Sequence, residues 1–277
     1  MSNILTDPVH LKNLLKSLGL KPKDYLGQNF LISEETLAQI LDAAQITEGE
    51  TIVEIGPGLG VLTERLVAKA GRVVAIEKDR MLVPVLRKFF RKQKNLEIVQ
   101  GDVLKFNFEN ISGPYKIVAN IPYYLTSHLL QNFFALSHQP EKIILMVQKE
   151  VGERLVAKAG QFSLLGISVQ IFADVEIEAI VPAENFWPVP KVDSAIIVIT
   201  PKKKFPEIKD EKLFFRILKV AFAGKRKQIH NTLANGLKLP KEKVRQLLDA
   251  AGIEPTTRPQ DLEIEDWTRL YKHLLED

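Results

Sequence analysis

The sequence predicts an α/β fold, in which a mostly parallel β-sheet with an antiparallel edge strand precedes a small all-helical C-terminal domain. Three observations support this prediction. Up to residue 148, short apolar segments alternate with segments of helical periodicity, as in strand–helix–strand units. Two later strand-like segments flank the proline-rich loop 182–191, and such a late pair often completes a sheet of this kind. Beyond residue 211 the apolar residues recur with helical spacing.

The first 48 residues predict two helices joined by an irregular segment. LKNLLKSLG (11–19) has leucines at helical spacing and ends in glycine. SEETLAQILDAAQI (33–46) begins with a serine that can cap the helix and has acidic residues in its first turn. KPKDYLGQNFL (21–31) between them has no regular period.

The remaining elements follow in order along the chain. Strands are predicted at 51–55, 72–77, 96–102, 116–120, 142–148, 175–181 and 193–200. Helices are predicted at 61–70, 79–92, 125–136, 150–160 and 162–173. Since 201–211 reads as a linker, we expect the sheet domain to cover residues 1–200 and the helical domain residues 201–277.

Composition excludes several classes of protein. No apolar run approaches the ~20 residues of a membrane-spanning helix, and the N-terminus does not have the pattern of a secretory signal. The chain has no cysteine, which excludes disulfides, thiolate metal sites and a cysteine nucleophile, so we expect a cytoplasmic protein. Net charge is +2 over residues 1–24, −3 over 25–200 and +5 over 201–277. These basic ends favour a nucleic-acid partner, with solvated helix faces as the alternative.

A glycine-rich turn and two acidic residues predict an adenosyl-binding site. Gly56 and Gly58 lie in EIGPGLG, which joins a strand to a helix, but its G-x-G-x-G spacing differs from the G-x-G-x-x-G of dinucleotide-binding proteins. Glu77 ends the second strand, where a carboxylate can accept both hydroxyls of a ribose. Asp102 ends the third strand and can accept from an adenine amine. Each acid alone is equally consistent with a surface position, but together they favour S-adenosylmethionine as the cofactor.

The segment ANIPYYLTS (119–127) predicts a binding site for an exocyclic amine that does not belong to the cofactor. Asn120 ends the fourth strand, and its side-chain carbonyl can accept a hydrogen bond from an exocyclic amine. Pro122 stiffens the loop and fixes the direction of its neighbouring carbonyls. Tyr123 offers a face on which a base can stack, although a proline-stabilised turn with tyrosines over the core is the alternative. A base in folded RNA would have to turn out of its stack to reach this position.

These motifs resemble those of the ribosomal RNA adenine N6,N6-dimethyltransferases, most closely the bacterial small-subunit type. The resemblance covers nearly the whole chain. It is carried by YLGQNFL (25–31), EIGPGLGVLT (54–63), VVAIEKD (73–79), GDVL (101–104), NIPYYLTS (120–127), MVQKEVGERL (146–155), FWPVPKVDSAII (186–197), KRKQIHNTL (225–233) and TRPQDLEIEDW (257–267). It implies a Rossmann-like methyltransferase sheet whose segment 1–48 includes a lid over the cofactor.

The resemblance also implies a role for individual residues. Asn29 and Leu31 would close over S-adenosylmethionine beside Gly56, and Asn120 would serve both the cofactor and the target. Tyr123 would stack on the target adenine and Phe186 would lie on its other face, although Phe186 and Trp187 are equally consistent with core anchors. The product would be two adjacent dimethylated adenines near the 3′ end of small-subunit RNA, made on an immature 30S particle by a monomer.

Basic residues in the C-terminal part match the tail of the family, which implies docking on the ribosomal subunit. They are Lys225, Arg226 and Lys227. A second basic cluster around Phe89 and Phe90 has no matching motif, and we interpret it as a solvated helix face. The five histidines are scattered without the spacing of metal ligands, so we predict no metal.

Three alternatives remain open from the sequence. The nearest is the large-subunit RNA adenine dimethyltransferase of the antibiotic-resistance type, but TSHLL and the C-terminal motifs favour the small-subunit type. A nicotinamide oxidoreductase also uses an acid at the end of its second strand, but the glycine spacing argues against it. The third is a binding protein that has kept the fold without catalysis.

Overall fold

The computed structural model describes residues 5–122, 125–202, 208–224 and 227–275. The chain divides into two compact units. The first comprises residues 1–152 and 176–201, and the second comprises residues 153–175 and 202–277. This division groups residues 153–175 with the C-terminal helices, whereas the sequence-based boundary lies at 200/201. Within the described residues, no helix combines the length and apolar character needed to cross a membrane.

Seven strands form the main sheet. In chain order the strands of the structure are β1 (Phe30–Leu31), β2 (Thr51–Ile55), β3 (Arg72–Glu77), β4 (Leu96–Gln100), β5 (Tyr115–Asn120), β6 (Lys142–Gln148), β7 (Ala173–Val181), β8 (Phe186–Trp187) and β9 (Ser194–Pro201). The spatial order is β4-β3-β2-β5-β6-β9-β7, while β1 and β8 form a separate antiparallel pair. Strands β2 to β6 are paired in parallel, and β9 runs antiparallel to β6. The predicted mostly parallel sheet with an antiparallel strand is therefore confirmed, although β9 lies between β6 and the edge strand β7 and is not itself at the edge.

Eleven α-helices accompany these strands in the described residues. They are α1 (Pro8–Ser17), α2 (Glu34–Ala44), α3 (Val61–Lys69), α4 (Val83–Phe89), α5 (Thr126–Ala135), α6 (Lys149–Leu155), α7 (Leu164–Gln170), α8 (Glu211–Ala221), α9 (Ile229–Leu237), α10 (Lys241–Ala250) and α11 (Ile264–Leu275).

Helix α4 is shorter than the sequence predicts, since it begins at Val83 instead of residue 79. Pro84 lies in its first turn, which is where a residue without a backbone N–H is tolerated. The side chain of Asp79 accepts a hydrogen bond from the N–H of Met81 and holds the preceding residues in a turn. The residues between β3 and α4 therefore form a hydrogen-bonded turn that follows the carboxyl end of β3.

The central strands are apolar on both faces because helices cover the sheet on each side. Ile52 and Val73 belong to a large core cluster with residues of α2 and α3. The chain runs outward from β2 to β3 and β4, and then returns to the other side of β2 as β5. This reversal leaves a crevice between the carboxyl ends of β2 and β5, which is where ligands bind in open α/β sheets.

The second unit has its own aromatic core. Phe214, Trp267 and Tyr271 are fully buried in it. The hydroxyl of Tyr271 accepts a hydrogen bond of 2.7 Å from the N–H of Asp210 at the start of α8. The N–H of Gly160 donates to the carbonyl of Gln260 at 2.8 Å, which ties the segment 153–175 to the last helices.

Candidate active site

An open cleft lies at the carboxyl ends of β2, β3 and β5. Its empty space, including the mouth, is about 1190 Å³, which is ample for a nucleoside-sized ligand. The residues that line it include eight that the sequence predicts as site residues: Asn29, Leu31, Gly56, Gly58, Glu77, Asp102, Asn120 and Pro122. The fold therefore brings together residues that are almost one hundred positions apart in the sequence, from Asn29 to Pro122.

The glycine loop after β2 depends on backbone conformations that favour glycine. Gly56, Gly58 and Gly60 have φ values of 71°, 62° and 91°. A methyl group on Gly60 would lie 2.4 Å from the ring of Phe90, so a side chain is excluded there as well. Gly60 is the N-cap of helix α3, and Val61 and Leu62 of the first turn of that helix line the cleft.

Glu77 is fixed by the loop that it faces. Its Oε2 accepts a hydrogen bond of 3.0 Å from the N–H of Gly58, and its Oε1 accepts one of 2.7 Å from the N–H of Asp79. The residue is only 6% exposed, and this burial raises the pKa of its carboxyl. Each carboxylate oxygen retains a lone pair beyond these two bonds, so Glu77 can still accept two hydroxyl groups.

Asp102 is held in place by a cation. The Nζ of Lys78 lies 2.8 Å from its Oδ2, and its Oδ1 accepts from the N–H of Leu104 at 3.1 Å. The hydrogen bond from Lys78 is the main reason why the pKa of Asp102 lies below its ordinary value. Asp102 is therefore an ionised acceptor at the cleft at neutral pH.

Asn120 meets the N-terminal segment across the cleft. Its Nδ2 donates a long hydrogen bond of 3.5 Å to the backbone carbonyl of Asn29. This use of the amide nitrogen leaves Oδ1 as the acceptor of the side chain. The backbone carbonyl of Asn120 also lies 3.5 Å from the position that a Cβ on Gly56 would take, so the ends of β5 and β2 approach closely.

A clamp that the sequence did not predict ties the N-terminal segment to β3. We use this name for Lys23, Gln28 and Asp79. The Nζ of Lys23 lies 2.7 and 2.8 Å from the two carboxylate oxygens of Asp79, and the Nε2 of Gln28 donates to Oδ2 at 2.9 Å. Burial acts to raise the pKa of Asp79, but the hydrogen bonds from Lys23, Met81 and Gln28 outweigh it and lower that pKa. The clamp is continuous with Glu77 through the N–H of Asp79.

Glu54 is a second residue of the cleft that the sequence did not predict as a site residue. It is buried in β2, and its Oε2 accepts a hydrogen bond of 2.6 Å from the hydroxyl of Thr63. Burial, together with the nearby charge of Glu77, raises its pKa to about 8, against the opposing effect of Thr63. The available signal was an acidic residue inside an otherwise apolar strand, TIVEI.

The structure places the other predicted residues differently. Phe186 pairs with Leu31 in the β1–β8 ribbon, is 1% exposed and belongs to the core cluster, and it is not among the residues that line the cleft. This placement favours the alternative that Phe186 anchors the core, and its role beside the target base stays a prediction. Lys227 lies in the second unit and is exposed. Tyr123, Lys225 and Arg226 lie outside the described residues.

The chain is similar to known proteins along nearly its whole length. The chain matches the family model described as ribosomal RNA adenine dimethylase over residues 19–276. Ribosomal RNA small subunit methyltransferase A of Dehalococcoides mccartyi is 40% identical over 263 residues, which cover 94% of this chain and 90% of that protein. The protein of the same name from Listeria monocytogenes is 36% identical over 288 residues, which cover 99% and 98% of the two chains.

Two solved structures share the fold along most of the chain. The crystal structure of a dimethyladenosine transferase from Plasmodium falciparum has a TM-score of 0.76 at 27% identity, and the match covers 89% of this chain and 97% of that one. The crystal structure of the 23S rRNA methyltransferase ErmE has a TM-score of 0.70 at 27% identity, with 89% and 99% covered.

Proposed function

Because the chain belongs to the ribosomal RNA adenine dimethylase family, we propose that it dimethylates N6 of two adjacent adenines near the 3′ end of 16S ribosomal RNA. The methyl donor in this proposal is S-adenosylmethionine, and the substrate is an immature 30S particle. One observation carries the proposal: Glu77 and Asn120 end β3 and β5, Asp102 follows β4, and all three line one cleft with the glycine loop.

The side chains of the cleft fit an adenosyl cofactor. Glu77 is the acceptor for the ribose hydroxyls, because both of its oxygens are held by backbone N–H groups and keep a free lone pair. Asp102 is the acceptor for the adenine amine, and Lys78 keeps it ionised. Asn29 and Leu31 line the cleft from the N-terminal segment, which we assign as the lid. When bound, S-adenosylmethionine supplies an electrophilic methyl group on its sulfonium.

Asn120 and Pro122 position the amine that receives the methyl group. The amide nitrogen of Asn120 is used by Asn29, so the carbonyl oxygen is the acceptor for one amine hydrogen. A backbone carbonyl at Pro122 accepts the other hydrogen in this proposal. Acceptance of both hydrogens draws the amine lone pair out of conjugation with the ring, and positioning then supplies most of the catalysis. We assign Tyr123 to stacking on the ring, while Phe186, which is buried in the core cluster, is assigned no contact with it.

The proposed substrate rests on the relatives. The two relatives at 36–40% identity are named small-subunit methyltransferases, and their matches cover at least 90% of each chain compared. The likeness to the 23S rRNA methyltransferase ErmE supports a second candidate, methylation of large-subunit RNA, at a lower identity of 27%. We assign methyl transfer to residues 1–200 and docking on the subunit to residues 201–277, including Lys227, in a protein that acts as a cytoplasmic monomer.

Methylation by the purified protein tests the substrate. Immature 30S particles that lack the modification and bare large-subunit RNA are incubated separately with labelled S-adenosylmethionine. We expect label on the 30S particle, and mass spectrometry of the RNA should find it in two adjacent dimethyladenines. Label on the large-subunit RNA alone would support the second candidate instead.

Asn120→Ala separates catalysis from binding. We expect this variant to lose methylation while it still sediments with the 30S particle, because the change removes an acceptor and leaves the basic surfaces intact. Asn110→Ala, which alters an exposed asparagine of the same unit, should methylate as wild type does. If the wild-type protein binds the particle as tightly as Asn120→Ala does and both are inactive, the protein is a binding factor.

A further inference from the structure

Tyr25 places an aromatic ring in solvent next to the cleft. It is 74% exposed, and it is the one aromatic residue among the exposed large apolar side chains of the residues that the structure describes. The two residues that follow it, Leu26 and Gly27, line the cleft. The ring therefore lies at the lip of the cleft and outside the core.

The backbone that carries Tyr25 is anchored on both sides. On one side, Lys23 is bound to Asp79, and the N–H of Leu26 donates to the carbonyl of Lys23 at 3.0 Å. On the other side, Gly27 has a φ of +60°, and a Cβ added to it would lie 3.0 Å from the Cβ of Pro122. Tyr25 is thus held between the clamp and the proline of the NIPY motif, in a turn that is anchored at both ends.

The surroundings of the ring suit an anion. Lys21 is exposed four residues before Tyr25, and Arg80 is exposed directly after the clamp residue Asp79. The clamp joins the two stretches of chain that carry these cations, and each cation lies within two positions of a clamp residue. A bare aromatic ring beside exposed cations is the combination with which proteins bind unpaired nucleotides, through stacking on the ring and contacts to phosphate.

We propose that Tyr25 stacks on an unpaired base of the RNA next to the adenine that enters the cleft. This inference rests on the proposed function and adds a substrate contact outside the residues that hold the amine. The contacts of the turn with Asp79 and Pro122 restrict its backbone, which limits the conformational entropy lost when the base stacks. Tyr25 then acts on the affinity for RNA and leaves the methyl transfer itself unchanged.

Substitution by residues of similar size tests this contact. Tyr25→Leu keeps an apolar side chain without a π face, whereas Tyr25→Phe and Tyr25→Trp keep the face. On immature 30S particles at saturating S-adenosylmethionine, we expect Tyr25→Leu to raise the KM for the particle roughly 5- to 100-fold, the usual effect of losing one stacked base. The kcat and the KM for S-adenosylmethionine should not change. Tyr25→Phe and Tyr25→Trp should stay near the wild-type KM.

Val9→Ala is the matched control, because Val9 is also an exposed apolar residue, at 64%. It should leave the KM for the particle unchanged. If Tyr25→Leu keeps the wild-type KM, the ring has no role in binding RNA, and if Tyr25→Leu and Tyr25→Phe raise the KM equally, the contact depends on the hydroxyl group and not on stacking. Either result overturns the inference while the wild-type activity still supports the proposed function. A wild-type protein without activity on the particle would overturn both.

Discussion

Among single residues, Glu54 makes the stability of the protein depend on pH. Its pKa is about 8 in the fold and 4.5 as an ordinary carboxyl, so between these values the folded chain holds a proton that the unfolded chain has lost. A raised pKa of this kind stabilises the fold below pH 4.5, and the stabilisation is lost as the pH rises towards 8. Burial raises the pKa of Glu77 as well, which acts in the same direction.

We expect the free energy of unfolding of the wild-type protein to fall between pH 5 and pH 8, by an amount on the order of a few kcal/mol. Glu54→Gln should flatten this slope, because a neutral amide has no proton to lose. Urea unfolding at several pH values measures the effect. Glu97→Gln, which removes an exposed carboxylate of β4, is the control and should keep the wild-type slope. Equal slopes in wild type and Glu54→Gln would show that Glu54 carries no such proton.

Among the elements, the N-terminal segment depends on the clamp for its position over the cleft. Lys23 and Gln28 hold it to Asp79, whose side chain is only 3% exposed, and the next residues along the chain line the cleft. If the segment is only partly in place, the apparent affinity for the cofactor falls by the fraction that is competent to bind. In the proposed function, the clamp thus acts on cofactor binding through the segment that we assign as the lid.

Lys23→Met should raise the KM for S-adenosylmethionine roughly tenfold, which corresponds to about 1.4 kcal/mol, with kcat unchanged. Steady-state kinetics with the 30S particle saturating and calorimetry with S-adenosylhomocysteine both measure this. Lys23→Arg keeps the charge and should retain most of the wild-type affinity. A general structural defect in Lys23→Met would instead change kcat as well as the KM. An unchanged KM in Lys23→Met would mean that the lid does not need the clamp.

A buried cation near the amino end of β5, away from the cleft, stabilises the C-terminal end of helix α2. The Nζ of Lys116 donates to the carbonyls of Ala44 and Gln45 at 3.2 and 2.8 Å and lies 3.0 Å from the carboxylate of Glu50. It therefore satisfies the C-terminal end of the helix. Burial acts to raise the pKa of Glu50, but the N–H of Thr47 and the side chain of Lys116 lower it overall.

Lys116→Met should lower the free energy of unfolding at pH 7 by about 1–3 kcal/mol, because it removes the donor to the carbonyls of Ala44 and Gln45 and the cation paired with Glu50. The affinity for S-adenosylhomocysteine should not change, since Lys116 is the second residue of β5 and the cleft lies at the other end of that strand. Lys142→Met is the matched control: that lysine begins β6 and donates to the side chain of Gln45, and we expect a smaller loss. Equal losses in the two variants would contradict the assigned role of Lys116.

At the scale of the whole molecule, the sequence predicts those features that depend on residues close together in the chain. Strands such as TIVEI and RVVAIE are visible as apolar runs, and Glu77 and Asp102 follow from their places after strands. The clamp could not be predicted, because Lys23 and Asp79 are separated by 56 residues and nothing local marks them as partners. Phe186 shows the same limit: its motif fits both a core anchor and a base-stacking residue, and only packing distinguishes them.

Ligand binding tests the class of enzyme on the whole protein. A ligand that binds only the folded state at 100 times its Kd adds about 2.7 kcal/mol, which raises the Tm of a chain of this size by roughly 5–10 °C. We expect this shift with S-adenosylhomocysteine and none with NAD, because the G-x-G-x-G loop and the paired acceptors Glu77 and Asp102 suit an adenosyl group without a pyrophosphate. Asp102→Asn should reduce the shift, since an amide cannot replace both acceptor oxygens, while Glu97→Gln should leave it unchanged. A larger shift with NAD than with S-adenosylhomocysteine would instead support a nicotinamide-binding protein.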